Sequence, residues 1–269
     1  MSLFAILLVI MIGITVGLIM GLTGAGGGML AVPALVYSQG WTMQEAMPVA
    51  LLAVSLGALI GAIDGLRRHQ VRYKAALLMA VAGAPMTSLG VFVASQLSQQ
   101  MLMLAFAAVL LIVVMRLVLQ ARAGASAAVR TDAMAMVNQQ TGKFDWSWAT
   151  AAIIGLIGAC AGFATGLLGV GGGFIIVPLL RHFSNLSMQS AAATSLMVIA
   201  LVGAVAVTSA VSHGIHLPIL FSTVFAAASV IGVAYGRKIA NRLDSMTVQL
   251  IFAALLCGVA ISFLIKAIY

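Results

Sequence analysis

Residues 21–35 read GLTGAGGGMLAVPAL, and residues 166–180 read GLLGVGGGFIIVPLL. The register is gapless: Gly21, Leu22, Gly24, Gly26, Gly27, Gly28, Val32, Pro33 and Leu35 recur as Gly166, Leu167, Gly169, Gly171, Gly172, Gly173, Val177, Pro178 and Leu180. The same helix-breaking element thus stands in both halves of an apolar chain. That is the pattern of a duplicated membrane fold whose helices are interrupted near the bilayer midplane.

Composition agrees. The chain is 63% hydrophobic and 7% charged, with a mean hydropathy of +1.20. No soluble domain of 269 residues needs so much apolar surface. The long apolar runs suit a hydrocarbon core of about 30 Å, which roughly 20 helical residues cross. Continuous apolar runs, not short alternating strands, exclude a β-barrel. The expected fold is an all-α, polytopic transmembrane helical bundle. No cleaved signal peptide is expected, because residues 1–44 carry no charged side chain and so no positive n-region.

The spacing predicts about eight long helices and two short segments. Helix spans fall at 3–22, 42–65, 75–95, 101–120, 148–168, 188–211, 217–236 and 246–267. The glycine breaks fall at 23–28 and 169–173, followed by half-length segments at 29–38 and 174–183. Residues 1–120 form a first transmembrane repeat and 148–269 a second. The more polar stretch 121–147 (ARAGASAAVRTDAMAMVNQQTGKFDWS) is a linker expected on the cytoplasmic side. Tyr37, Trp41, Trp146, Trp148 and Tyr269 stand at span ends, where interfacial aromatics belong.

The net charge of +8 is read first as a topology signal. Bases sit in short loops and helix ends, and no basic stripe interleaved with aromatics supports nucleic-acid binding. The loop after the 42–65 span holds Arg67, Arg68, Arg72 and Lys74, whereas its counterpart SHGIHLP has no Lys or Arg. The turn after the 217–236 span holds Arg237, Lys238 and Arg242, whereas its counterpart SQLSQQ has none. The second short segment ends in Arg181, where the first has Val36. Under the positive-inside rule, matched loops then lie on opposite faces, so the halves are inverted repeats although their sequences align directly. Each half makes an odd number of net crossings if its short segment returns the chain to its starting face. Both termini are expected outside, in the cell inner membrane, with the linker and the two Arg-bearing loops inside.

Consecutive glycines tolerate positive φ and end one helix and begin another within a few residues. The half-length segments would start inside the membrane, where a helix N-terminus offers unpaired N–H groups and about half a positive charge. Two such ends brought together by an inverted twofold make an anion site without a basic side chain. The candidate substrate-binding residues are Gly24, Gly26, Gly27, Gly28, Gly169, Gly171, Gly172 and Gly173, with the hydroxyls of Thr23, Thr194 and Ser195. The structural alternative is close helix packing for the glycines and bonding back to their own helix for the hydroxyls, Thr165 included. Pro33 and Pro178 are expected early in the half-helices, where a missing N–H matters least. No Lys-Ser/Thr follows the glycines, so they are not a phosphate-binding P-loop.

Other polar residues point to local roles. Glu45 reads as a first-turn acid, Asp64 as a helix-end partner of Arg67 or Arg68, and Arg116 as a snorkelling base. His213 and His216 fall in the predicted outer loop, where surface histidines are mostly neither sensors nor gates. Cys160 and Cys257 read as packing residues, with no metal site. No cofactor is expected.

The two glycine phrases, together with Thr194-Ser195-Leu196, resemble the sulfite exporter TauE/SafE family of membrane permeases, and the resemblance spans essentially the whole chain. It implies transport of sulfur-containing anions, sulfite and organosulfonates among them, across the bacterial inner membrane. One departure stands out: the first repeat has Val49 and Ala50 where the second has Thr194 and Ser195. If hydroxyls bind substrate, the site leans on the second half.

The leading expectation is therefore a secondary transporter or permease for small oxyanions, acting as an exporter. Its partners are a small anionic substrate and the lipid bilayer, with a homo-oligomer possible. An anion-selective channel is the nearest rival, since it also uses inverted repeats and broken helices. A non-transporting scaffold would need a larger partner-facing segment than 121–147. An enzyme would need a nucleophile–base or metal constellation that the scattered His, Cys and acidic residues do not form.

Overall fold

The computed structural model describes residues 3–123, 144, 146–214, 218–240 and 245–268. The chain forms α1 (Leu3–Thr23), a 3-10 helix (Gly24–Leu30), α2 (Ala31–Gln39), α3 (Met43–Arg67), α4 (Tyr73–Gln96) and α5 (Gln99–Ala123). After the linker come α6 (Trp148–Leu168), α7 (Gly173–Phe183), α8 (Met188–Ser212), α9 (Ile219–Ala240) and α10 (Ser245–Ile268). Eight of these, all but α2 and α7, are long and apolar enough to cross a membrane. His216, Arg242 and Tyr269, and most of the linker, lie outside the described residues.

Local sequence accounts for the helix starts. Thr42 caps α3 by accepting from the Glu45 N–H, while Glu45 Oε2 accepts from the Thr42 N–H at 2.9 Å. This reciprocal capping box gives Glu45 the first-turn role expected of it. Ser187 caps α8 in the same register by accepting from the Ser190 N–H at 3.2 Å. The register of the repeat thus extends past the glycine phrase: α3 and α8 begin at Met43 and Met188, and each runs 25 residues.

Packing obeys the same twofold exchange. The main pairs are α1 with α9 and α6 with α4, then α3 with α9 and α8 with α4. The pairs α3 with α8 and α5 with α10 map onto themselves. Small residues set the closest approaches. Gly13, Gly17 and Gly21 on α1 lie against Phe225 and Ala228, Ser229, and Val233 to Arg237 on α9. Their counterparts Gly158, Gly162 and Gly166 on α6 lie against Met79, Gly83 and Thr87 on α4. A Cβ on Gly17 would stand 2.0 Å from the Ser229 carbonyl oxygen, and one on Gly166 2.1 Å from that of Thr87. Without a hydrophobic drive between helices in lipid, such backbone contact holds the pairs together by dispersion.

The order of these contacts fixes direction. Numbers rise together along α1 and α9 and along α4 and α6, so both pairs are parallel. Gly57 meets Val233 and Gly61 meets Arg237, so α3 also runs parallel to α9. Arg72 meets Thr194 and Gly83 meets Val202, so α4 runs with α8. In contrast, Gly65 meets Ala193, Gly61 meets Leu196 and Gly203 meets Ser55, so α3 and α8 are antiparallel. Two equivalent helices crossing antiparallel require a twofold axis across them, in the plane of the membrane. The halves are inverted repeats.

The core sits along this crossing. α3 and α8 are the most enclosed of the spanning helices, and α5 and α10 are the least. Leu77, Val81, Ile112, Met115 and Leu156 are exposed around the outside, a surface that suits lipid tails. Arg116 is exposed on α5, where snorkelling is open to it.

Candidate functional site

The two glycine breaks converge on the middle of the α3–α8 crossing. A Cβ on Gly28 would meet Val54 Cγ1 at 2.9 Å and the Val170 carbonyl oxygen at 3.3 Å. A Cβ on Gly171 would meet Ile199 Cγ2 at 3.0 Å and Val54 Cγ1 at 3.1 Å. Val54 and Ile199 are equivalent positions of the repeat, and each break touches both repeats: Gly28 meets Val54 and Val170, and Gly171 meets Ile199 and Val54. Gly28, Val54, Val170, Gly171 and Ile199 are all buried. The centre is packed shut.

The half-helices run outward from this point. At 1.5 Å per residue, the nine residues of α2 and eleven of α7 span about 14 and 16 Å, half a hydrocarbon core. They return the chain from midplane to surface without crossing the bilayer.

The breaks differ in conformation. In the second, Gly169, Gly171 and Gly172 have φ of +73°, +78° and +62°. Gly169 closes α6, its N–H donating to the Thr165 carbonyl at 2.9 Å. Gly172 caps α7, its carbonyl accepting from Ile175 and Ile176. Gly173 opens α7 and is buried. This is an abrupt stop and restart, and it leaves the N–H groups of Gly173 and Phe174, the first two residues of α7, without intrahelical acceptors. In the first break, Gly24 has a positive φ of +72°. The chain then winds as a 3-10 helix through Gly26, Gly27 and Gly28, and the Ala31 N–H donates to the Gly28 carbonyl. The expected start of the first half-helix at residue 29 shifts to Ala31, and its N-terminal donors are partly consumed by the preceding turn.

The prolines separate accordingly. Pro33 stands in the first turn of α2, as expected, but Pro178 lies inside α7, beyond its first turn. Its missing N–H leaves the Phe174 carbonyl without its helical donor. Gly27 packs for space, since a Cβ there would stand 2.1 Å from Met20 Cα. Gly169 lies against Met47 and Val32, whereas no atom of the described residues stands within 4 Å of a Cβ on Gly24.

The hydroxyls divide. Thr23 Oγ1 donates to the Ile19 carbonyl at 2.8 Å, and Thr165 Oγ1 to that of Ala161 at 2.7 Å. Thr194 Oγ1 donates to the Ser190 carbonyl at 2.7 Å and accepts from the Arg72 N–H at 3.0 Å. Its proton serves its own helix, and its oxygen anchors the loop before α4. Thr194 is not brought to the breaks. Ser195 is fully buried, and its Oγ has no partner. It lies one turn before Ile199 on the same helical face, so the fold carries it toward the second break.

Charge distinguishes the two ends of the crossing. At one end Asp64 Oδ1 accepts from Arg68 Nε at 3.1 Å, the local pair expected of it, and Oδ2 accepts from Arg237 Nη2 at 2.8 Å. The second bond joins α3 to α9 across the repeats and is not visible in local spacing. At the other end the matching residues are Ser209, His213 and Phe92. His213 Nδ1 lies 2.8 Å from the Ser209 carbonyl oxygen, and the rings of His213 and Phe92 are 6.2 Å apart. Beside this plain end, Met47, Leu51, Val91 and Ala206 help line a cavity of about 20 Å³, the space of one water. No cluster of three or more metal-ligating side chains occurs among the described residues.

Sequence reading missed two features. The glycine stripes at 13, 17, 21 and 158, 162, 166 were legible as a repeated G-x3-G-x3-G. The Asp64–Arg237 pair was not, because its members are far apart in the chain.

Relatives share this length and class. A "Probable membrane transporter protein YunE" of Bacillus subtilis (strain 168) is 23% identical, over 97% of this chain and 98% of that one. A "Probable membrane transporter protein" of Xylella fastidiosa (strain Temecula1 / ATCC 700964) is 27% identical, over 97% of this chain and 95% of that one. No solved structure matches. The model of the sulfite exporter TauE/SafE family matches residues 9–263. The chain belongs to the sulfite exporter TauE/SafE family of membrane transporters.

Proposed function

We propose that the protein is a permease for small sulfur-containing oxyanions such as sulfite or an organosulfonate. The anion binds between the repeats, at the N-terminus of α7 and against the first glycine break. The observation that carries this reading is the convergence of both breaks on Val54 at the α3–α8 crossing. Non-helical backbone at that depth is tolerated only where it is buried in protein or lines a cavity. There the free N–H groups and dipole of α7 favour negative charge. Ser195 Oγ, buried without a partner one turn away, supplies a further donor.

The packed centre is an occluded state. Rocking of the repeats about the crossing opens first one end and then the other. The Arg-bearing end, with Arg67, Arg68, Arg72, Arg237 and Lys238, faces the cytoplasm by the positive-inside rule, which places both termini outside in the inner membrane. A negative-inside potential drives an anion outward by about 2.3 kcal/mol per charge per 100 mV, so export needs no coupled cation.

The test is flux of sulfite, sulfate and a small sulfonate into proteoliposomes, against a carboxylate control, with and without an imposed potential. Saturable, potential-sensitive flux of a sulfur oxyanion is expected. Ser195→Ala should raise KM several-fold while leaving the fold at least as stable, because it removes a buried hydroxyl that has no partner. Absence of anion flux by folded protein overturns the reading. A rate that never saturates favours a channel over a permease.

A further inference from the structure

Arg237 is a partly enclosed cation that the glycine breaks do not use. It stands in the last turn of α9 and holds Asp64 through Nη2. Its Nη1 is enclosed and has no hydrogen-bond partner. A charged donor removed from water without an acceptor is costly, so the position calls for an acceptor group. Nη1 packs against Gly61, where a Cβ would stand 2.9 Å from it and 2.7 Å from Leu196 Cδ1, so an acceptor reaches the guanidinium only when α3, α8 and α9 part at this end. Arg72 Nε is also enclosed and unpartnered, and the Arg72 backbone is pinned to α8 by Thr194, at the turn of α3 that follows Gly61. Two guanidinium donors thus stand unsatisfied at one end of the crossing. The carboxylate recorded there, Asp64, already accepts from both Arg68 and Arg237.

We propose that this end holds a second oxyanion subsite, with Arg237 Nη1 as its principal donor and Asp64 as a resident competitor for the same guanidinium. Gly61 is seven residues along α3 from Val54, so the subsite lies about 10 Å from the glycine breaks. It collects the anion at the Arg-bearing mouth and passes it inward as Asp64 reclaims Arg237. The matching residues at the opposite mouth, Phe92 and Ser209, carry no charge, so the subsite belongs to one end only. The transport step rests on the permease reading; the binding step does not.

The full chain is purified in neutral detergent, and sulfate and sulfite binding are measured by calorimetry. Arg237→Gln should weaken binding about tenfold or more, and Arg237→Lys should weaken it less. Asp64→Asn should tighten binding several-fold, a gain that misfolding does not produce. Equal affinity in wild type and Arg237→Gln, weaker binding in Asp64→Asn, or no binding by wild type overturns the subsite. An anionic lipid headgroup offers the same chemistry, so the titration is repeated with added phosphatidylglycerol. Sulfate binding by delipidated protein supports the free ion, and retention of lipid alone overturns it. Proteoliposome flux separates the two proposals. Sulfur-anion flux with unchanged KM in Arg237→Gln keeps the permease and removes the subsite. Arg237-dependent sulfate binding by protein that moves no sulfur anion keeps the subsite and removes the permease.

Discussion

The two glycine breaks share a sequence and differ in shape. GAGGG at Gly24–Gly28 winds on as a 3-10 helix after the left-handed Gly24, whereas GVGGG at Gly169–Gly173 stops and restarts through three left-handed glycines. The difference follows from what each break packs against. Gly169 is wedged against Met47 and Val32, and Gly172 against the Ala161 carbonyl and Thr165 Oγ1, while a Cβ on Gly24 would meet none of the described residues within 4 Å. A glycine run permits several backbone paths at similar cost, so neighbours decide between them. Inverted repeats therefore do not guarantee two equal sites: the free helix N-terminus belongs to α7, and the buried unpartnered hydroxyl of Ser195 lies on the same half. The first half answers with Val49 and Ala50.

Substitution by alanine sharpens the contrast. The largest effect is expected at Gly172. Its φ of +62° is unfavourable for any L side chain, and a Cβ would stand 2.6 Å from the Ala161 carbonyl oxygen and 2.7 Å from Thr165 Oγ1. Left-handed strain of about 1 kcal/mol and overpacking of about 2 kcal/mol add to roughly 3 kcal/mol, with the Thr165–Ala161 bond disturbed. Thermal unfolding in detergent reads this directly. A Gly172→Ala protein as stable as wild type would mean that the second break also rewinds freely and that the contrast is false.

Gly171→Ala comes next. Its φ is +78°, but its Cβ would meet Ile199 Cγ2 at 3.0 Å and Val54 Cγ1 at 3.1 Å, the ends of side chains that shift by tenths of an ångström. The expected stability loss is about 1–2 kcal/mol. The more telling readout is flux, because the added methyl lies where both breaks meet. Anion flux should fall several-fold more than the stability loss explains. Unchanged flux would move the pathway away from Val54.

Much of this was legible in residues. The spans follow from apolar length against bilayer thickness, and their ends fall within about a turn of those expected. The inverted relation follows from Arg67, Arg68, Arg72 and Lys74 having no basic counterparts, and the antiparallel α3–α8 crossing agrees with it. Three things were not legible. The 3-10 path of the first break depends on the space around Gly24, which no local pattern encodes. The position of Pro178 inside α7 follows from where Gly172 lets the helix restart. The second partner of Asp64 comes from α9 because helix pairing brings Arg237 to it, and only Arg68 is near in sequence. Thr194 and Ser195 show the same limit. As neighbours on one helix they read alike, yet they face different surroundings, one a loop N–H and the other the enclosed core.

The smallest effect is expected at Gly24, and it tests the comparison most directly. Its φ of +72° matches that of Gly169, +73°, so backbone strain on substitution is the same at both. Only packing differs. Among the described residues, a Cβ on Gly24 meets nothing within 4 Å, whereas one on Gly169 would stand 2.7 Å from Met47 Cγ. Gly24→Ala should therefore show strain alone, about 1 kcal/mol, or a lowering of Tm by about 2–4 °C. Gly169→Ala adds displacement of Met47 and should lose more. The difference between the two isolates what the neighbours contribute at equivalent positions. Equal losses would show that strain dominates and that the two breaks are interchangeable. A loss at Gly24 larger than at Gly169 would show that the open space beside Gly24 is filled in the state the protein populates, making the first break the more constrained half.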